Sequence, residues 1–173
     1  MHLKEHISYC PKCGAKTFSF DKKRFVCSSC QFDLYINASA AVAALILNDN
    51  GELLLARRKF DPMKGTLDLP GGFVDVHETA ENAIKREIKE ELNLTITSLE
   101  YFCSFPNTYT FRENDYYTLD LTFICKVESL DDLRVNDDVS AVEFIEVKKI
   151  DTTEIGLSSI KTIVSTFQKS YKN

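Results

Sequence analysis

Two sets of residues in this chain have the types and spacing for chemistry. The first is a run of acids, Glu87, Glu90 and Glu91. At roughly 100° per residue, a helix from Thr79 onward places Ala80, Ala83, Ile84, Ile88 and Leu92 on one apolar stripe. Asn82, Lys85 and Lys89 fall on the opposite, solvated side. Glu87 and Glu91 instead project into the stripe, one turn apart, with Glu90 on its flank. Inward carboxylates are costly to desolvate unless something neutralises them. A hard divalent cation, which prefers oxygen ligands, answers that need. An acid-rich surface helix would have grouped these glutamates with the lysines.

The second set is Cys10, Cys13, Cys27 and Cys30, spaced C-x2-C, thirteen residues, C-x2-C. Each pair forms a knuckle, and the segment between has the length of a β-hairpin with its turn at Asp21-Lys22-Lys23-Arg24. Four thiolates suit tetrahedral Zn2+, which holds together a segment too small to bury its own core. A closed four-cysteine site leaves no open coordination position, so the expected role is structural. Gly14 follows the first knuckle where a tight turn is needed, and Gln31 occupies the matching place after the second. Cys103 and Cys125 stand apart on apolar strand faces and read as buried core thiols.

The elements that must position these groups follow in order. Residues 38–47 form a short apolar run of strand length, Asn48-Asp49-Asn50-Gly51 is a turn signal, and 52–57 reads as the return strand of a hairpin. Residues 59–67 are a loop, and Leu69-Pro70-Gly71-Gly72 breaks regular structure before the acidic helix. Strands follow over 99–105 and 118–126, with Leu119, Leu121, Phe123 and Cys125 sharing one face. Between them, residues 106–117 are aromatic, polar and turn-rich, either a binding loop or a plain hairpin connection. An acidic loop over 131–138, a last strand over 141–147 and a closing amphipathic helix over 157–171 complete the chain.

Hydrophobic content of 44% and charged content of 27% are ordinary for a globular protein, and a net charge of −5 argues against a chain built mainly to grip nucleic acid. The charge is uneven: residues 1–36 carry six Lys/Arg against three Asp/Glu. No apolar run approaches the roughly 18–20 residues that span a bilayer, and no leader is evident, so a cytoplasmic location and no membrane partner are expected.

Gly72, five residues, Glu78, seven residues, Arg86-Glu87-Ile88-Lys89-Glu90-Glu91, one residue, Asn93-Leu94 resembles the Nudix hydrolase box. Asn93 stands where a glycine is usual; that residue ends the helix in a left-handed conformation, for which Asn is the best substitute. The preceding LPGG and the segment carrying Arg57 and Arg58 are also similar to that family. The resemblance implies an α/β fold: a Nudix α/β/α sandwich with a mixed sheet over residues 37–173, preceded by a small zinc ribbon over 1–36. It implies Mg2+ or Mn2+ held by Glu87, Glu90, Glu91 and the backbone carbonyl of Gly71. Glu78 and Arg86 become an ion pair that ties loop to helix, and Asp138, with Asp137 beside it, falls where a late carboxylate ligand is recruited. The implied activity is hydrolysis of the pyrophosphate bond of a nucleoside diphosphate linked to another group, with a small-molecule nucleotide as substrate.

A four-cysteine ribbon ahead of the box is similar to the NADH pyrophosphatase subfamily. That resemblance implies a homodimer, with Tyr35 and Phe73 sandwiching the base and the tyrosine supplied by the partner subunit. The SQPWPF signature of that subfamily is replaced by Cys103-Ser104-Phe105-Pro106-Asn107-Thr108-Tyr109, and the chain has no Trp. The expected substrate is therefore a different or broader one: NAD(H), ADP-ribose or a nucleotide sugar. Substrate contacts are expected from Tyr35, Arg57, Phe73, Phe105 and Tyr109. The competing reading is an RNA-binding or nucleotide-sensing regulator that uses the basic ribbon. A hybrid would remove a nucleotide cap from RNA.

Overall fold

The computed structural model describes residues 7–136 and 138–171, and its described residues fall into two compact units. The smaller contains residues 1–38 together with 108–117; the larger contains 39–107 and 118–173.

In the smaller unit β1 (Phe18–Asp21), β2 (Arg24–Cys27) and β3 (Asp33–Tyr35) form an antiparallel sheet in that order. Phe18, Phe25, Cys10 and Cys27 make its small core. The β1–β2 turn has Lys22 in a left-handed conformation.

The larger unit is built around β4 (Ser39–Ile46) and β5 (Glu52–Arg58). β6 (Leu67–Asp68) pairs with β5, and β7 (Gly71–Phe73) pairs with β4. Next come helix α1 (Ala80–Leu92), β8 (Ile96–Phe111), β9 (Asn114–Val127), β10 (Val139–Glu146) and helix α2 (Ser158–Ser170). One sheet runs β7-β4-β9-β8, with β4 and β9 parallel; the other runs β10-β5-β6.

β4 and β5 are not the two arms of a hairpin ladder. They belong to different sheets, and among the described residues their strand pairing is limited to a bridge between Leu47 and Leu53. Both are continuous apolar runs, the pattern of strands covered on both faces. Along β4, Val42, Ala44 and Ile46 pack with Ala83, Ile84, Ile88 and Leu92 of α1. Ala43 and Leu45 face the other way, toward Ile160, Ile163, Val164 and Phe167 of α2. Leu54 and the pair Leu53 and Leu55 divide in the same manner. The sandwich follows directly: two helices, each covering one side of the same strands.

Residues 106–117 also differ from a loop. β8 and β9 run almost to each other, and the hairpin closes on Arg112 and Glu113, both with positive φ. Alternating aromatic and β-branched residues favour the extended strands. Pro106 is tolerated because β8 is an edge strand.

Candidate active site

α1 is fixed at both ends by its own sequence. The Thr79 hydroxyl accepts from the Asn82 amide at 3.2 Å, and Asn93 takes φ 57°, ψ 17° as the C-terminal cap. Asn93 and Leu94 amides return to the Lys89 and Ile88 carbonyls, which ends the helix with its last acceptors satisfied. The helix buries Ala83, Ile84, Ile88, Leu92 and, among them, Glu91.

Glu91 is only 7% exposed, and the Gly71 amide donates to its Oε2 at 3.0 Å. Burial pushes its pKa up to about 8; the Gly71 bond opposes this, while Glu87, Asp68 and Asp138 add repulsion. Four carboxylates thus converge on one place. Glu87 and Glu90 are turned toward Arg86, whose Nη1 lies 2.7 Å from Glu87 and 3.1 Å from Glu90. The same guanidinium bonds both oxygens of Glu78, at 3.1 and 2.8 Å, and the Phe73 carbonyl at 3.0 Å. Arg86 therefore ties the 73–78 loop to the helix and balances Glu87 and Glu90, whereas among the described residues Glu91 receives only a neutral N–H. A group of charges with that imbalance fits a divalent cation held by carboxylate oxygens.

The two glycines before the helix are dictated by crowding. A Cβ on Gly71, where φ is +147°, would lie 2.0 Å from the Val42 carbonyl oxygen. One on Gly72 would lie 2.5 Å from the Glu87 carboxyl group. Backbone can approach the carboxylates here only because no side chain intervenes.

A cleft of about 180 Å³ opens over this centre, lined by Arg57, Arg58, Gly71, Phe73, Glu91 and Asp138 among others. Asp138, expected as a late carboxylate, stands on its wall; Asp137 lies outside the described residues. Arg57 lines the cleft but is engaged, bonding Glu143, Glu154 at 3.3 Å and the Gly65 carbonyl at 3.1 Å. Phe73 is 49% exposed at the rim. Phe105 is partly buried against the α2-side core, and Tyr109, in the smaller unit, stacks on Tyr116 at 5.5 Å. Tyr35, also in the smaller unit, is 48% exposed, with the Arg24 guanidinium 5.8 Å from its ring.

Sequence reasoning missed one cleft group. Asp68 is buried, accepts from the Leu69 amide at 2.8 Å and pairs with Arg58 at 2.6 Å. Burial raises its pKa, and Arg58 pulls the other way. The available signal was an acid set between the apolar Leu67 and Leu69, where a charge needs a partner.

In the smaller unit Cys10, Cys13, Cys27 and Cys30 bring their sulfurs within 4.8 Å of one another. Cys10–Cys30 and Cys13–Cys27 are each 3.7 Å apart. Metal–sulfur bonds of about 2.3 Å arranged tetrahedrally require edges of about 3.8 Å, so the sulfurs already have the spacing of a metal cage. The Thr17 hydroxyl, 3.4 Å from Cys27, holds that thiol's pKa down at about 6. Gly14 and Gln31 both adopt positive φ, and their amides return to the Cys10 and Cys27 carbonyls. The two knuckles are thus conformationally equivalent despite Gln31.

A mixed α/β sandwich with this acidic helix defines the class, and residues 38–163 match the NUDIX domain model. The chain belongs to the NUDIX family, as an enzyme of the Nudix hydrolase type. It is 36% identical over 122 residues to an ADP-ribose pyrophosphatase from Methanocaldococcus jannaschii, covering 69% of each chain. It is 35% identical over 113 residues to the NAD-capped RNA hydrolase NudC of Haemophilus influenzae, covering 61% of this chain and 42% of that one. It therefore spans less than half of that relative. Among solved structures, a NUDIX hydrolase from Nitrosomonas europaea superposes with a TM-score of 0.71 at 21% identity, covering 95% of this chain and 92% of that one, a likeness of fold. No helix among the described residues is long and apolar enough to cross a membrane.

Proposed function

We propose that this chain hydrolyses the pyrophosphate bond of a nucleoside diphosphate linked to a further group, with ADP-ribose, NAD(H) and nucleotide sugars as the substrate class. The observation that carries the reading is Glu91: a buried carboxylate set against three others, whose hydrogen-bond donor among the described residues is the neutral Gly71 amide. Glu87, Glu90, Glu91, Asp138 and the Gly71 carbonyl would hold Mg2+ or Mn2+. Such an ion, when bound, neutralises charge on the pyrophosphate oxygens and lowers the pKa of a water. Glu87 or Glu90 accepts that water's proton, Arg86 keeps both carboxylates in place, and Phe73 offers a stacking face to the base. Relatives named for ADP-ribose and for NAD-capped RNA support the same bond as the target.

The four cysteines hold a structural Zn2+ in a ribbon over residues 1–36, and the chain acts as a homodimer in which Tyr35 of the partner subunit stacks on the base opposite Phe73. Four thiolates on one dication carry a net charge of −2, which cuts the ribbon's surplus of three positive charges to about one. That weakens the case for a ribbon that grips RNA, so cap removal is retained as a substrate variant and not as a separate function.

Purified protein with Mg2+ or Mn2+ is offered ADP-ribose, NAD(H), a nucleotide sugar and NAD-capped RNA, with products resolved chromatographically. Turnover of at least one small dinucleotide or nucleotide sugar is expected, with release of a nucleoside monophosphate. No turnover of any of them, once metal binding has been shown, defeats the reading.

A further inference from the structure

The strand register of the larger unit places three side chains in a row on one face of the β7-β4-β9-β8 sheet. Ala41 pairs with Phe73 on one side and with Asp120 on the other. Residues paired in register share a face of the sheet. The face is the one covered by α2, because Ala43, two residues along β4, belongs to the α2-side core. An exposed aromatic, a small and partly open alanine, and a carboxylate only 6% exposed therefore stand side by side. At about 4.8 Å between strands, the backbones of Phe73 and Asp120 are about 10 Å apart, with nothing larger than a methyl group on the strand between them.

Asp120 is an unusual residue to bury there. Among the described residues its partners are hydroxyls: Thr118 donates to Oδ1 at 2.8 Å, and Ser159, in the first turn of α2, donates to Oδ2. Each oxygen keeps acceptor capacity beyond its one hydroxyl. Asp68 and Asp120 repel one another. Such a group would oppose a polyphosphate and can serve only the neutral donors of a nucleotide, the ribose hydroxyls and the base N–H groups, of which the base N–H groups are those an aromatic such as Phe73 would bring alongside. What it can offer a base is acceptance of an N–H.

We infer that the row Phe73–Ala41–Asp120 is the base subsite, and that Asp120 selects adenine by accepting a hydrogen bond from its exocyclic amine. The inference rests on the nucleotide-hydrolase reading above and specifies its substrate class. An oxygen in place of the amine turns acceptor toward acceptor, and such mismatches discriminate strongly because the buried group is left unpaired. The competing role for Asp120 is mechanical, tying Ser159 and the positive end of α2 to the sheet.

The test compares ADP-ribose with inosine diphosphate ribose, which carries a carbonyl where adenine has the amine, in wild type, Asp120→Asn and Ser159→Ala. Asp120→Asn keeps the shape of the side chain and can exchange hydrogen bonds with both hydroxyls; a cooperative thermal transition confirms folding of each variant. Wild type should favour the adenine compound by at least about 10-fold in kcat/KM, the scale of one charged hydrogen bond. Asp120→Asn should bring the two within about 3-fold, mostly through KM for the adenine compound, and Ser159→Ala should lie between. Calorimetric binding of AMP against IMP, without metal, should show the same loss of preference. An unchanged preference in folded Asp120→Asn leaves only the mechanical role and overturns the inference. If wild type turns over no diphosphate, the hydrolase reading fails, while AMP and IMP binding still decides whether Asp120 reads the base.

Discussion

α1 and α2 invite comparison because they are the same length, 13 residues each, and cover opposite faces of the same strands. Each buries four apolar residues and one polar one. In α2 the polar residue is Ser159, neutral and matched to Asp120 at the helix start. In α1 it is Glu91, ionisable, placed near the helix end and facing other acids. The caps differ as well: α1 is closed by Thr79 and Asn93, whereas α2 has no side-chain cap at its start. The difference teaches that α2 buries a neutral group already matched to its partner, while α1 holds a destabilising ionisable group in place with better-formed ends.

The comparison breaks most visibly at Glu91. Glu91→Gln should lower turnover by roughly 10²–10³-fold or more, since it removes a charge from the reacting centre. The same change should raise the melting temperature in chelator at neutral pH, because glutamine, unlike Glu91, does not have to take up a proton on folding. Turnover near the wild-type level would remove Glu91 from the reaction. Changes in the apolar stripes should come next. Ile88→Ala in α1 and Ile163→Ala in α2, both fully buried, should each cost about 2–5 kcal/mol in denaturant unfolding. Activity per folded molecule should fall for Ile88→Ala, which shifts the helix bearing the acids, and hold for Ile163→Ala.

The pH dependence sharpens the contrast further. The folded pKa of Glu91 is raised to about 8 from its ordinary value of 4.5, so the native state binds more protons than the unfolded state between those limits. Stability should fall as pH rises from about 4.5 to 8, by at most about 1.4 kcal/mol per pH unit from this group. Melting curves in chelator should show that slope in wild type and lack it in Glu91→Gln. A flat wild-type profile would mean that Glu91 is already compensated. The smallest effect belongs to the cap: Asn93→Ala, which keeps the left-handed backbone but loses the side-chain bond to the Asp132 carbonyl, should cost about 1–2 kcal/mol. Asn93→Gly should cost less than that.

What was legible in the sequence depended on how many sides of an element were covered. α1 has one buried face, so its period gave the stripe and exposed the misplaced glutamates. β9 is covered on both sides, and there alternation misled. Leu119, counted on the apolar face, is 39% exposed, whereas Asp120, which alternation assigned to solvent, is 6% exposed. A single sequence carries no mark of α2 lying over that polar face. The 106–117 segment was legible only as an alternative, a binding loop or a hairpin connection; it is the hairpin, and the chain turns within two residues by accepting positive φ at Arg112 and Glu113.

The parallel pairing of β4 with β9 has a consequence for how the chain is made. Ala41 meets Asp120 about 80 residues later, so the central strand of the sheet leaves the ribosome long before its partner exists. During that interval the run Ala-Ala-Val-Ala-Ala-Leu-Ile has only the three short residues of β7 to pair with in this sheet. A nascent chain stalled before β9 therefore presents an apolar strand with one free edge, and a stall past Val127 does not. Protein synthesis itself passes through a state in which that edge is open to association.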